Sequence, residues 1–306
     1  MSQARTHGVC FGFHVASDVG LRYLRPGSDG DPLEITASTR TSEPTGPAAL
    51  DWPLRGGDGD RARLYVRDHG FSFRTEQEGW FHIDPAAARI EIPGDADPVR
   101  RETRLWGVPT VLCFLHRGDM SLHASAVEVD GSALLFAAPG RFGKTTMAGA
   151  FVAAGHRLVA EDISCCRPSP DPVVFPGPAV LRVRRDAFAE LDLAGTGEVA
   201  VDRDRVHLSI EDSRRGEGGP LPIRGIVFLR PGAEGGPLER VDPVAAIPDL
   251  WALSWKLPVE EDLERCFRGT AALAATVPIW NLPRSDRFDA LKRVVDRVLE
   301  TCLAVA

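Results

Sequence analysis

The sequence predicts an α/β protein, a mixed sheet flanked by helices, behind a β-rich N-terminal domain. One sign is the succession of Ala133-Leu-Leu-Phe-Ala137, Ala138-Pro-Gly-Arg-Phe-Gly-Lys-Thr-Thr146 and an Ala- and Met-rich stretch closed by Gly155. The apolar run reads as a buried strand, and residues 145–154 read as a helix with a glycine at its C-terminal end. A second sign is the alternation of apolar and polar residues in short runs across residues 1–110, as in half-buried strands. A third is the spacing of Phe288, Leu291, Val294, Val295, Val298 and Cys302, which gives a closing helix one apolar face.

At 306 residues the chain has room for two domains, placed at 1–115 and 116–306. Its 43% hydrophobic and 26% charged content is that of a globular protein. A net charge of −7 argues against a general nucleic-acid-binding role. Nothing approaches the apolar length of a membrane span, and the N-terminus lacks a signal-peptide core, so a cytoplasmic protein without a membrane partner is expected. The six cysteines (Cys10, Cys113, Cys165, Cys166, Cys266, Cys302) form no C-x-x-C pair and read as reduced, mostly buried thiols. The eight histidines show no zinc-ligand spacing, so no structural metal is expected.

Along the N-terminal part, alternation predicts strands over 9–15, 63–67, Gly70–Thr75 and Arg89–Pro93, with Gly/Pro/Asp-rich turns or loops over 26–32 and 55–60. A substrate-recognition or oligomerisation module and a plain structural appendage fit this region equally. Residues 97–116 switch to helical spacing and predict one helix, despite Pro109, linking this part to the core. Residues 122–137 then form a hairpin about Asp130-Gly131. After the helix, 156–160 is a third strand ending in Glu161-Asp162. A strand over 224–230, helices from Asp242-Pro243 and over 260–275, a last strand over 277–283 and a final helix capped by Ser285 complete the chain.

Strand, glycine-containing loop, Gly-Lys-Thr and helix form the context of a phosphate loop. Loop amides and the positive helix end would cradle phosphate oxygens, through Pro139, Gly140, Arg141, Phe142, Gly143, Lys144, Thr145 and Thr146. Lys144 would reach the β- and γ-phosphates, and the Thr145 hydroxyl would ligate Mg²⁺. The chain has only three lysines, Lys144, Lys256 and Lys292, so a lysine in this context is not a spare surface charge. An ordinary strand–helix turn is the competing reading. Ala138 stands where the full motif has glycine; alanine there costs about 1–2 kcal/mol if the backbone must be left-handed, and little otherwise.

Glu161 and Asp162 lie where catalytic carboxylates sit in sheet-based nucleotide sites, at the end of a strand beside the phosphate loop. One acid can serve Mg²⁺ and the other accept the proton of an attacking hydroxyl; a solvated acidic turn is the alternative. His123, across the hairpin from the loop, either orients an acidic partner or is a half-buried strand histidine. The arginines at 182–185 either pin an acidic substrate or make a charged strand face.

The segments Ser121-Leu-His-Ala-Ser-Ala-Val, Phe136-Ala-Ala-Pro-Gly-Arg-Phe-Gly-Lys-Thr-Thr and Ala154-Gly-His-Arg-Leu-Val-Ala-Glu-Asp together resemble the core of the HPr kinase/phosphorylase-like family. Closest in pattern are HPr-kinase-related proteins and the tailoring kinases of lasso-peptide clusters. The resemblance implies a fold akin to phosphoenolpyruvate carboxykinase and an ATP·Mg²⁺-dependent kinase acting on a serine-type hydroxyl. It maps the loop lysine and metal-binding hydroxyl onto Lys144 and Thr145, the histidine onto His123, and the acidic pair, base and metal ligand, onto Glu161 and Asp162. Ala138 and Glu161 depart from the pattern, and the second signature of true HPr kinases has no counterpart, so HPr is not the expected acceptor.

The expected activity is therefore transfer of the γ-phosphoryl group of ATP, with Mg²⁺, to a serine hydroxyl of a peptide or protein, a lasso-type precursor peptide among them. A small-molecule kinase acting on a free serine-like compound and a nucleotide-binding regulator without turnover are the alternatives. A GTPase is disfavoured, because the sole asparagine, Asn281, sits in Asn-Leu-Pro-Arg. Assembly into a homo-oligomer is left open.

Overall fold

A computed structural model describes residues 5–38, 44–54, 60–191, 193, 196–202, 204–210, 219–232, 236–284 and 287–304. It shows a mixed α/β chain that divides into two compact units, Met1–Arg117 and Gly118–Ala306.

The first unit is built on an eight-stranded sheet of β1 (Thr6–Cys10), β2 (Phe13–Ser17), β3 (Asp31–Ser38), β4 (Leu50–Pro53), β5 (Arg61–Arg67), β6 (Gly70–Thr75), β7 (Gly79–Asp84) and β8 (Arg89–Pro93). Their order is β1-β2-β3-β8-β7-β6-β5-β4. The run 9–15, expected as one strand, is two strands joined at Phe11 (φ 54°) and Gly12 (φ 75°). Two positive-φ residues suit the twist of a hairpin, but a buried phenylalanine rarely occupies such a position and hid the turn. Part of the expected loop over 26–32 belongs to β3, which pairs in parallel with β2 from Asp31 onward; a proline is tolerated at a strand's start. Positions 55–59 of the other expected turn lie outside the described residues.

The single helix expected over 97–116 is two, α1 (Pro98–Leu105) and α2 (Val108–His116), and both belong to the first unit. Pro109 lies in the first turn of α2, where its missing N–H costs nothing; carried further back, the helix would meet its ring. Asp97 caps α1 by accepting from the amides of Val99 and Arg100.

The second unit contains β9 (Met120–Leu122), β10 (Ala124–Val129), β11 (Ser132–Ala137), α3 (Lys144–Ala153), β12 (Arg157–Ala160), β13 (Ser164–Arg167) and β14 (Val173–Phe175). It continues through β15 (Val180–Arg184), α4 (Arg185–Glu190), β16 (Thr196–Asp202), β17 (Arg205–Ile210), β18 (Leu221–Pro231), β19 (Glu239–Arg240) and α5 (Pro243–Leu253). It ends with β20 (Ser254–Trp255), α6 (Glu260–Thr276), β21 (Ile279–Arg284) and α7 (Leu291–Leu303). Ser285 lies outside the described residues, and Ala290 stands at the N-cap of α7 without a side-chain cap.

The main sheet runs β12-β10-β11-β18-β14-β13-β9-β20, with β21 and β19 joined beside β18. Alternate residues of β11 serve two cores. Leu134 and Phe136 pack with Met147 and Phe151 of α3 and Val294 and Val298 of α7. Ala133, Leu135 and Ala137 pack with Leu250 of α5 and Leu273 of α6. Burial on both faces explains why the strand reads as an unbroken apolar run. In β10, Ala124 and Ala126 face one core and Val127 and Val129 the other, as regular alternation requires, and the register with β12 shifts between 126 and 127, where β12 carries one extra residue.

Strand direction places the site. Both β11 and β12 run antiparallel to β10, with Ala124 opposite Ala137 and Ala126 opposite Ala160. The carboxyl ends of β11 and β12 therefore share an edge with the start of β10. Since β18 is parallel to β11 and β21 to β18, their carboxyl ends reach the same edge. All six cysteines are buried and free, as expected. Among the described residues no helix is long and apolar enough to cross a membrane.

Candidate functional site

The chain leaves β11 at Ala137, turns through 138–143 and enters α3 at Lys144. Gly143 caps this helix at φ 84°, a left-handed backbone that glycine adopts without strain. Arg141 holds φ 72° as well, which costs a residue with a side chain about 1–2 kcal/mol. Ala138 is not among the positive-φ residues, and its methyl group is buried in the core beneath α3. The departure from glycine there is harmless.

Lys144 is buried, and its Nζ donates to the carbonyls of Ala138 (3.0 Å) and Pro139 (3.3 Å). The same nitrogen lies 3.8 Å from Asp162 Oδ1. Burial pushes the Lys144 pKa down; the charges of Asp162 and Glu161 oppose that shift, and Arg205 adds to it. Beneath the helix start, Ser125 Oγ donates to the carbonyl of Lys144 (2.9 Å), tying β10 to the first turn of α3.

The adjacent acids have separate surroundings. Glu161 is 4% exposed. Its Oε1 accepts from the Thr145 hydroxyl at 2.6 Å, and its Oε2 accepts from Arg182 Nε at 2.7 Å and Nη2 at 2.5 Å. Both of its oxygens are thus engaged. The Asp162 side chain is 42% exposed, and its Oδ1 lies 3.2 Å from His123 Nε2. Burial pushes the Asp162 carboxyl up, but the hydrogen bond and charge of His123, with the charges of Arg182 and Lys144, more than offset it and hold the group below the usual carboxylate range.

The residues His123, Lys144, Thr145, Glu161 and Asp162 therefore meet at one edge of the sheet. Arg182 reaches them from β15, in a three-stranded sheet of β15, β17 and β16. Of the neighbouring arginines, Arg184 turns toward Asp186 (3.3 Å) rather than the acids.

Three contributors escaped the sequence reading. Ser125 lies inside the segment Leu-His-Ala-Ser-Ala, yet a hydroxyl on a small-residue strand carries no signal of its own. Arg205 donates to the carbonyl of Arg182 (2.8 Å), and His207 stands opposite Arg182 in register. Nothing local in 205–210 announces that pairing. His207 is 2% exposed and its Nδ1 has no hydrogen-bond partner among the described residues; burial, then the charge of Arg182, lowers its pKa.

The donors around Lys144 are a hydroxyl (Thr145) and two carboxylates (Glu161, Asp162), all oxygen. Such hard donors fit Mg²⁺, which takes one or two carboxylates and leaves its other positions to phosphate and water. The Gly143–Lys144 helix start offers amides to a phosphate. On the far side of the loop, Arg141, Phe142, Gly143 and Thr146 line a cleft of about 620 Å³.

No family model matches the chain, and no curated protein matches it. Among solved structures, the HPr(Ser) kinase/phosphatase of Coxiella burnetii is similar, with 11% identity and a TM-score of 0.33, over 60% of this chain and 96% of that one. Likeness that loose is a distant structural relationship and assigns no residue a role.

Proposed function

We propose that this chain is an ATP- and Mg²⁺-dependent kinase that transfers the γ-phosphoryl group to a serine-type hydroxyl of a peptide or protein. One observation carries the reading: a lysine on the first turn of a helix whose Nζ lies 3.8 Å from an aspartate, with the next hydroxyl 2.6 Å from a glutamate. ATP supplies the transferable group, and Mg²⁺ supplies charge neutralisation.

Lys144 and the loop amides hold the β- and γ-phosphate oxygens. The geometry favours a division of labour between the acids opposite to the one the resemblance implies. Glu161, paired with the Thr145 hydroxyl and fixed by Arg182, suits the metal. Asp162, more open and bonded to His123, suits the proton of the attacking hydroxyl. A base of low pKa is adequate, since in a loose phosphoryl-transfer transition state positioning matters more than proton affinity. His123 orients Asp162; Arg182 holds Glu161.

The test is incubation with γ-labelled ATP, Mg²⁺, a library of serine-containing peptides and free serine, for wild type, Lys144→Ala, Asp162→Asn and Glu161→Gln. Label on a peptide in wild type, lost in all three variants, supports the proposal. Label on free serine alone redirects it to a small-molecule kinase. Nucleotide bound with no transfer to any acceptor overturns it in favour of a regulator.

A further inference from the structure

We infer that the cleft beside the loop receives the nucleoside half of the nucleotide, with its base against Phe142 and Phe288. This rests on the phosphate-loop reading above and deepens it by fixing which way the nucleotide lies. The cleft, about 620 Å³, opens between Arg141 and Phe142 of the loop, Thr146 of α3, Arg184 at the end of β15, Arg230 at the end of β18, and Phe288. That volume lies within the range of small-ligand sites.

The orientation follows from what does not line the cleft. Lys144, Thr145, Glu161, Asp162 and His123 are absent from its walls. The Thr145 hydroxyl is turned to Glu161. Thr146, about 100° further round the helix, is turned to the cleft. A triphosphate on this helix start has two ends. The reacting end must meet an acceptor hydroxyl beside Asp162, which lies outside the cleft. The other end therefore runs past Thr146 into the cleft, and that end is the nucleoside.

The walls suit it. Phe142 leaves 42% of its surface exposed on the loop, an apolar ring available for stacking. Phe288 packs against the core and gives a fixed second ring. Arg230 is paired with Asp249 and donates to Asn281 Oδ1 at 2.8 Å, and Arg184 is paired with Asp186 at 3.3 Å. Arg141 has no ion-pair partner among the described residues, so its charge is left for the phosphates nearest the sugar. The Asp186 carboxylate, 57% exposed, is an acceptor for a ribose hydroxyl.

The experiment compares ATP with inorganic tripolyphosphate, each with Mg²⁺, by calorimetry on the full chain. Wild type should bind ATP about 5- to 150-fold more tightly, the range that stacking of one base supplies. Phe142→Ala and Phe288→Ala should each shrink that ratio severalfold, with circular dichroism confirming the fold. Lys144→Ala should weaken both ligands. An equal affinity for the two ligands in wild type, or a ratio unmoved by both phenylalanine substitutions, overturns the inference while the phosphate reading stands. Tripolyphosphate that fails to bind, or binds regardless of Lys144, overturns the phosphate reading itself.

Discussion

Glu102 in the first unit and Asp162 in the second are both acids held by several neighbouring groups, and the protein holds them in opposite ways. Glu102 is 1% exposed and accepts from the amides of Arg22 and Tyr23 and from Trp106 Nε1, at 2.8–3.2 Å. Its partners are two fixed backbone groups and a buried ring, so it has nothing left to offer a ligand. Asp162 is held by side chains, His123 and Lys144, with part of its carboxylate open. Glu161 lies between the two cases: buried like Glu102, yet held by a hydroxyl and a guanidinium that can exchange partners. Depth and the nature of the partners both separate Glu102 from Asp162, and under the proposed function only the second is placed for chemistry.

The sharpest way to break this contrast is Asp162→Asn. Loss of a positioned proton acceptor should cost label transfer about 10³-fold. Stability should move by less than about 1 kcal/mol, because the group is partly exposed. Retained transfer with a lowered melting temperature would place Asp162 beside Glu102. Lys144→Ala should reduce transfer by about 3 kcal/mol, as removal of one transition-state donor does. With no acceptor in hand, both can be read on hydrolysis of ATP by water.

Arg182→Met tests the middle case. It strands Glu161, 4% exposed, without its guanidinium. Breaking a fully buried pair costs 3–5 kcal/mol; Arg182 keeps some solvent contact, and about 2 kcal/mol is expected from urea unfolding. Adding Glu161→Gln should recover part of that loss. No recovery would mean that Arg182 acts through its packing.

Glu102→Gln carries a pH signature. The amide brings donors into a site lined by donors and should cost about 1.5 kcal/mol. Burial pushes the Glu102 pKa up against the pull of the Arg22 and Tyr23 amides and Trp106. A raised folded-state pKa means that the contribution of Glu102 is fully present below its unfolded pKa and lost as pH rises through the folded one. Glutamine does not titrate, so the deficit of the variant should be largest below the ordinary glutamate pKa and shrink as pH rises above it. A deficit that grows with pH would show the carboxylate to be the stabilising form.

How much of this was legible in the sequence follows the range of each contact. The hairpin, loop, α3 and the strand ending in Glu161-Asp162 are neighbours along the chain, and their apolar runs and turn residues mark them. Arg182 reaches Glu161 only because β15 pairs with β17, twenty or so residues on, and no local pattern encodes that fold-back. The turn at Phe11-Gly12 was hidden for a different reason: an aromatic residue sits where the backbone favours glycine, and its burial kept the strand pattern running.

Ala138 is where the sequence alone raised an alarm that the structure removes, and it supplies the smallest effect. A glycine restored there matches the motif, so a reading by motif expects improved transfer. Geometry expects none. The backbone at 138 needs no left-handed residue, and the alanine methyl group fills core beneath α3. Ala138→Gly should therefore leave transfer unchanged and lower stability by about 0.5–1 kcal/mol, through the freer unfolded chain and the lost methyl contacts. A gain in transfer would mean that the loop passes through a left-handed conformation at 138 when it closes on phosphate, and that this alanine restrains it.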